Sequence, residues 1–272
     1  MLFIGPPFGN YIQLPYTTSI VGSFTLEKRD GLYMQILRTL RYSFSQNGWI
    51  NKIGLRNKGI DWAINNYNPK NVYSIAILNE NEIEPLLKKI PNNMNIELNV
   101  SCPNAEKSMI QDNLQKFLNN ERKYCIVKLS PTTDLKLIDT FYKQGFRQFH
   151  CSNTLPTERG GLSGPSLVPY TSNLVTHISK KYPECEIIAG GGIQNIHTIE
   201  HYKNIGAQHF AVSTIFFHPF KFASMYYNYC KQYKYLIFTN YYFTYLNRHT
   251  IVYLIFVNNQ VNVFYFLHLV PL

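Results

Sequence analysis

The sequence predicts an α/β protein built as a closed (β/α)8 barrel, on three observations. Eight short runs rich in apolar residues stand at 2–5, 19–25, 72–78, 96–101, 125–130, 148–153, 186–191 and 209–214. Most are nearly continuous rather than alternating in apolar residues, as in parallel strands buried on both faces. Helical segments at 81–89, 107–118, 135–144, 167–181 and 195–206 separate the later runs, so strand and helix alternate as in βαβ units. Eight such strands suit a barrel of ~200–250 residues better than an open sheet, and a barrel carries its active site at the C-terminal strand ends.

Taken in order, the first connection holds Pro6, Pro7, Gly9 and Pro15, which leave no room for a normal helix, so the first βα unit is abbreviated. The second, 26–71, is enlarged and is expected to drape a long loop over the barrel mouth. The fourth strand ends in Asn99-Val100-Ser101-Cys102-Pro103-Asn104. Pro103 cannot continue a ladder, so Cys102 sits on a turn between two carboxamides able to donate and accept hydrogen bonds. Its thiol is a candidate base or nucleophile, although a buried structural cysteine beside turn-forming asparagines would read the same.

The fifth strand carries Lys128 inside Cys125-Ile126-Val127-Lys128-Leu129. A charge buried there without a partner costs several kcal/mol, so Lys128 requires an anion inside the barrel or an electron-rich ring against it. Asn153-Thr154 ends the sixth strand, and Gly160-Gly161-Leu162-Ser163-Gly164-Pro165 follows, too glycine-rich for a helix and expected to fold inward as a loop. Ala189-Gly190-Gly191-Gly192-Ile193 ends the seventh strand and Ser213-Thr214 the eighth. Glycines admit backbone N–H groups close to a phosphate, and the loops after strands seven and eight are the usual phosphate site of barrels.

With 45% hydrophobic and 15% charged residues among 272, the chain is a packed globular protein. The barrel is expected over 1–233. Residues 234–272 form a separate block rich in Tyr, Phe, Ile, Leu and Asn. Its last stretch has membrane-span length, but Asn258, Asn259, Gln260 and Asn262 would place four carboxamides in hydrocarbon, so a packed or poorly ordered extension is the simpler reading. The net charge of +10 is scattered, and its longest basic cluster, 52–58, is broken by apolar residues. A phosphate-bearing cofactor and an anionic substrate account for it, and no nucleic-acid partner is assigned. Five cysteines without a CxxC pair indicate a reduced, cytoplasmic protein without a metal site. The histidines, His150 among them, read as surface or core residues, and no signal peptide is evident.

The motif Asn99 to Asn104 resembles the substrate loop of the dihydroorotate dehydrogenases, and the order of motifs from about residue 2 to 232 is similar to theirs. Gly22-Ser23-Phe24-Thr25-Leu26-Glu27 looks like their second-strand motif and Asn51-Lys52-Ile53-Gly54-Leu55-Arg56-Asn57 like their substrate-asparagine segment. The resemblance implies FMN-dependent oxidation of dihydroorotate to orotate, with Cys102 as general base. It implies substrate contacts at Asn51, Ile53, Gly54, Leu55, Asn99, Asn104, Asn153 and Thr154. For FMN it implies Ser23, Asn99, Lys128, Ser163, Gly164, Gly191, Gly192, Ser213 and Thr214. The cysteine points to the soluble classes. A homodimer is compatible with it, and the electron acceptor, whether fumarate, NAD, quinone or another, is left open. Alternatives are a dihydropyrimidine dehydrogenase-like or dihydrouridine synthase-like enzyme, or a non-catalytic FMN-binding barrel.

Overall fold

The computed structural model describes residues 1–100, 110 and 112–232, with the backbone of 243–247, 250–257 and 260–266. The chain divides into two units, one of Met1–Ile193 with Thr198–Thr214 and one of Gln194–His197 with Ile215–Leu272. The strands of the first are β1 (Leu2–Ile4), β2 (Thr17–Phe24), β3 (Arg41–Ser43), β4 (Gly48–Asn51), β5 (Val72–Ala76), β6 (Ile96–Asn99), β7 (Cys125–Leu129), β8 (Gln148–Cys151), β9 (Leu155–Thr157), β10 (Gly160–Ser163), β11 (Glu186–Gly190) and β12 (His209–Val212). Eight of them close into a parallel barrel in the order β1-β12-β11-β8-β7-β6-β5-β2. These are the eight runs expected from the sequence, and the (β/α)8 class holds.

The helices are α1 (Leu32–Thr39), α2 (Ile60–Asn65), α3 (Ile83–Lys89), α4 (Leu135–Lys143), α5 (Val168–Lys181), α6 (Ile196–Asn204) and, in the second unit, α7 (Pro219–Gln232). Local chemistry explains the better-formed ones. Asp134 caps α4 by accepting from the N–H of Lys136, and the helix turns Leu137, Ile138 and Phe141 inward. In the first connection only a 3-10 turn, Phe8–Asn10, forms, as its prolines demand. The helix expected at 107–118 does not form over the described part of that stretch, 110 and 112–118, which carries only a 3-10 turn, Leu114–Phe117; 107–109 and 111 lie outside the described residues. The second unit carries three antiparallel strands, β13 (Phe243–Asn247), β14 (Thr250–Val257) and β15 (Gln260–Phe266). Among the described residues no helix is long and apolar enough to cross a membrane.

Two expected loops are strands instead. The enlarged second connection contains α1, β3, β4 and α2, and the glycine-rich stretch after β8 forms β10. Together they build a small antiparallel sheet of order β3-β4-β10-β9, with Gly161 opposite Asn51 and Ser163 opposite Trp49. Glycine suits this pairing because the strands approach closely: a Cβ on Gly160 would run into the carbonyl of Asn51. Burial of Ile50, Leu162 and Leu167 in one cluster supplies the apolar side of the contact.

Inside the barrel, Phe3, Ile20, Val72, Ile126, Ile188 and Ala211 pack as one apolar layer contributed by six strands. Side chains two residues further along a strand face the same way. Ser74 on β5 and Lys128 on β7 therefore begin a polar layer above Val72 and Ile126, joined by Glu97 of β6 and His150 of β8. Glu97 is fully buried. Its Oε1 lies 3.3 Å from Lys128 Nζ and accepts from Ser74 Oγ at 2.8 Å, and its Oε2 lies 2.6 Å from His150 Nδ1. Burial alone would push this carboxyl up, but Lys128, His150 and the hydrogen bonds outweigh it and hold the group down at about 2. Burial dominates at His150 and lowers it, so at neutral pH the ring is uncharged and donates its Nδ1–H to Glu97.

Removing this carboxylate as Glu97→Ala takes the countercharge from a buried ammonium and is expected to cost ~3–5 kcal/mol. Because the folded value of Glu97 lies below the ordinary 4.5, its contribution is whole above pH 4.5 and is lost as pH falls from there toward 2. His150, lowered from 6.5, adds a loss that begins as pH falls below that value. Urea unfolding between pH 8 and pH 3 checks this: stability should decline in both windows, with the loss below pH 4.5 diminished in Glu97→Ala.

Candidate active site

The strand register sets the site residues side by side. Asn99 is paired with Lys128, and Lys128 with His150, across β6, β7 and β8. On β2 the ladder slips between Gly22 and Phe24, a bulge that takes Ser23 out of the pairing. The freed Ser23 hydroxyl lies 2.8 Å from Ser74 Oγ. Asn99 donates its amide to Ser23 Oγ at 3.0 Å, Asn153 donates to Asn99 Oδ1 at 3.1 Å, and the N–H of Thr154 donates to Asn153 Oδ1 at 2.9 Å. Ser74 donates to Glu97, so Ser23 donates to Ser74, and every donor from Thr154 onward points toward one buried carboxylate.

An open cavity lies at the C-terminal strand ends. Its wall brings together Lys128, Asn153 and Thr154 with Ser163 and Gly164 of the small sheet. Gly191, Gly192, Ser213 and Thr214, from the neighbouring strand ends, belong to the same wall. Ser23 and Asn99 are not in this wall but are tied to Asn153 by the hydrogen bonds above. Asn51, Ile53, Gly54 and Leu55 are not in it either; Asn51 instead accepts from the N–H of Ile53 at 3.4 Å and sits opposite Gly161, against which Thr154 packs. Cys102 and Asn104 lie outside the described residues.

The wall suits an anionic, phosphate-bearing ligand. Gly192 stands at φ +77°, and a Cβ there would come within 2.6 Å of Val168 Cγ2 and 3.1 Å of the Gly164 carbonyl. This position admits backbone and excludes a side chain. Ser163, Ser213 and Thr214 line the same cavity, with the Ser213 hydroxyl donating to the Pro6 carbonyl at 2.8 Å, Lys128 supplies a cation, and no carboxylate stands among the described residues of the wall. The residues present therefore fit FMN. Gly191, Gly192, Ser213 and Thr214 would hold its phosphate, and Lys128 would face its ring.

Glu97 and His150 were not singled out by sequence reasoning. Glu97 carried the same signal as Lys128, a charge within an apolar strand, and the two are each other's partners. His150 is a core histidine as expected, 3% exposed, yet it also lines the cavity and takes the second carboxylate oxygen. Cys125, Cys151, Cys185 and Cys230 are free, and burial pushes each of these thiols up, Cys125 to about 12 and Cys185 to about 11. None of the four is poised to form a thiolate at neutral pH.

The chain is similar to known proteins in sequence and in fold. The family model for dihydroorotate dehydrogenase matches residues 8–225. The catalytic subunit of dihydroorotate dehydrogenase B (NAD(+)) from Thermotoga petrophila is 28% identical over 249 residues, covering 80% of this chain and 90% of that protein. The protein of the same name from Malacoplasma penetrans is 28% identical over 218 residues, covering 67% and 71%. In fold, the chain is similar to the crystal structure of DHODH from Eimeria tenella in complex with ferulenol, with a TM-score of 0.67 at 16% identity, covering 85% of this chain and 82% of that one. With the barrel, the polar layer and the phosphate-shaped wall in place, the match over most of its length shows that this chain belongs to the dihydroorotate dehydrogenase family of FMN-dependent oxidoreductases.

Proposed function

We propose that the protein oxidises dihydroorotate to orotate with Cys102 as general base. The observation that carries this reading is the single cavity gathering Lys128, Asn153, Thr154 and the Gly191-Gly192 and Ser213-Thr214 segments, from four barrel strands, in a wall with no carboxylate among its described residues. Carboxamides of Asn51, Asn99, Asn104 and Asn153, with Thr154, hold the polar edge of the substrate. The donor chain ending on Glu97 fixes which way the Asn99 and Asn153 amides face. Cys102 removes the proton from C5. Bound FMN supplies the two-electron acceptor for the hydride from C6. An unperturbed thiol ionises near ~8.5, so either its surroundings favour the thiolate or the rate climbs toward alkaline pH.

The relatives' name, catalytic subunit of an NAD(+) enzyme, supports passage of electrons to NAD through a partner subunit, since the chain itself carries no nicotinamide motif. Free thiols at all four described cysteines support a cytoplasmic location. For the domain boundary we keep residue 233, after α7. The deciding experiment is anaerobic mixing of purified protein with dihydroorotate. Bleaching of flavin absorbance is expected, and a yellow protein that stays yellow would mean a non-catalytic flavin-binding barrel.

Three outcomes follow from this assignment. Gly192→Val should lose FMN, because the added side chain meets Val168 and the Gly164 carbonyl; flavin content per protein after purification checks it. Cys102→Ala should keep FMN and be reduced by dihydroorotate at least ~10²-fold more slowly, with part of the rate returning in Cys102→Ser at high pH, as stopped-flow flavin absorbance would record. Truncation after Tyr233 should retain flavin binding and improve solubility, since no residue assigned to substrate or FMN lies beyond Thr214; loss of FMN on truncation would move the boundary.

A further inference from the structure

The inference rests on the FMN reading above and concerns a residue outside the cavity wall. Glu97 is fully buried, yet it touches both ionisable side chains of that wall, Lys128 at 3.3 Å and His150 at 2.6 Å. Its rotamer is held from both ends, with Ser74 and Lys128 on Oε1 and His150 on Oε2. The carboxylate stands behind the ammonium as seen from the cavity, so the pair forms a dipole with its positive end toward the ligand. Such a dipole projects a weaker field than a bare ammonium, and its direction is fixed by the hydrogen bonds.

We propose that Glu97 is a positioning residue that sets the charge Lys128 presents to the flavin ring, holding the ammonium at the wall and offsetting part of its field. Negative charge developing on the ring during reduction is stabilised by Lys128 and opposed by the carboxylate behind it. Glu97 acts on the ring through Lys128: without the ammonium, burial pushes the carboxyl up against only His150 and Ser74, and the charge it carries is weakened.

The test is the midpoint potential of FMN bound to the wild type, Lys128→Met, Glu97→Gln and the double variant. Lys128→Met should make the flavin harder to reduce. Glu97→Gln, which keeps groups able to bond Ser74 and His150, should make it easier, moving the reduced-to-oxidised ratio at the wild-type midpoint by ~10-fold toward reduced. In the Lys128→Met background the Glu97→Gln change should have a much smaller effect. If Glu97→Gln does not fold, Glu97→Asp, which keeps the charge but withdraws it by one methylene, should shift the potential in the same direction by less. An unchanged or lowered potential in the Glu97 variants, or the same shift in both backgrounds, overturns the proposal and leaves Glu97 a structural partner. A wild type that takes up no FMN overturns the reading beneath it, and a silent Lys128→Met overturns the placement of Lys128 at the ring. Both are distinct from the case in which only the Glu97 variants are silent.

Discussion

One buried carboxylate organises the upper half of this barrel. Glu97 stands in a strand whose neighbours are apolar, and taking it out of water costs more than any single contact returns. Three partners arriving together, Ser74 and Lys128 from the two flanking strands and His150 from the strand beyond β7, make it tolerable. The dependence runs outward as well. Ser74 donates to Glu97 and so accepts from Ser23, Ser23 accepts from Asn99, and Asn99 accepts from Asn153. The cavity-lining amide of Asn153 is thereby oriented by an anion that it does not touch. Charge in the interior and hydrogen-bond polarity at the mouth are parts of the same arrangement.

Closure of the mouth depends on a second constraint. The enlarged second connection and the glycine-rich segment after β8 are far apart in sequence, yet each supplies strands to one antiparallel sheet. Without β10, β4 would be left with β3 alone, and an isolated pair of short strands is marginal in water. Pairing puts Ser163 and Gly164 into the cavity wall and ties Asn51 to the strand that packs against Thr154. The long connection is thus a structured cover and not a free loop.

Much of this was legible from local composition. Runs rich in apolar residues, most of them nearly continuous, marked all eight barrel strands, because burial on both faces removes most polar residues from a strand wherever its neighbours come from. The glycines after the seventh strand and the hydroxyls after the eighth were legible as one cluster for a similar reason, since a barrel returns successive strand ends to one rim. The helix at 107–118 was less legible. Over its described residues, 110 and 112–118, the chain forms a short 3-10 turn, Leu114–Phe117, where an α-helix was expected.

The sequence by itself determined the barrel, its abbreviated first connection, the rim on which the polar motifs gather, and the need of Lys128 for an anion. These follow from periodicity, proline chemistry and the cost of burying a charge, all of which act over a few residues. Only the tertiary structure decided that the anion is Glu97, that His150 shares it, and that a glycine-rich stretch is a strand. Glu97 lies 31 residues before Lys128 and 53 before His150. Which side chains meet at such separations is set by strand order and register around a closed sheet, where a slip of one residue would turn every one of these groups to the other face.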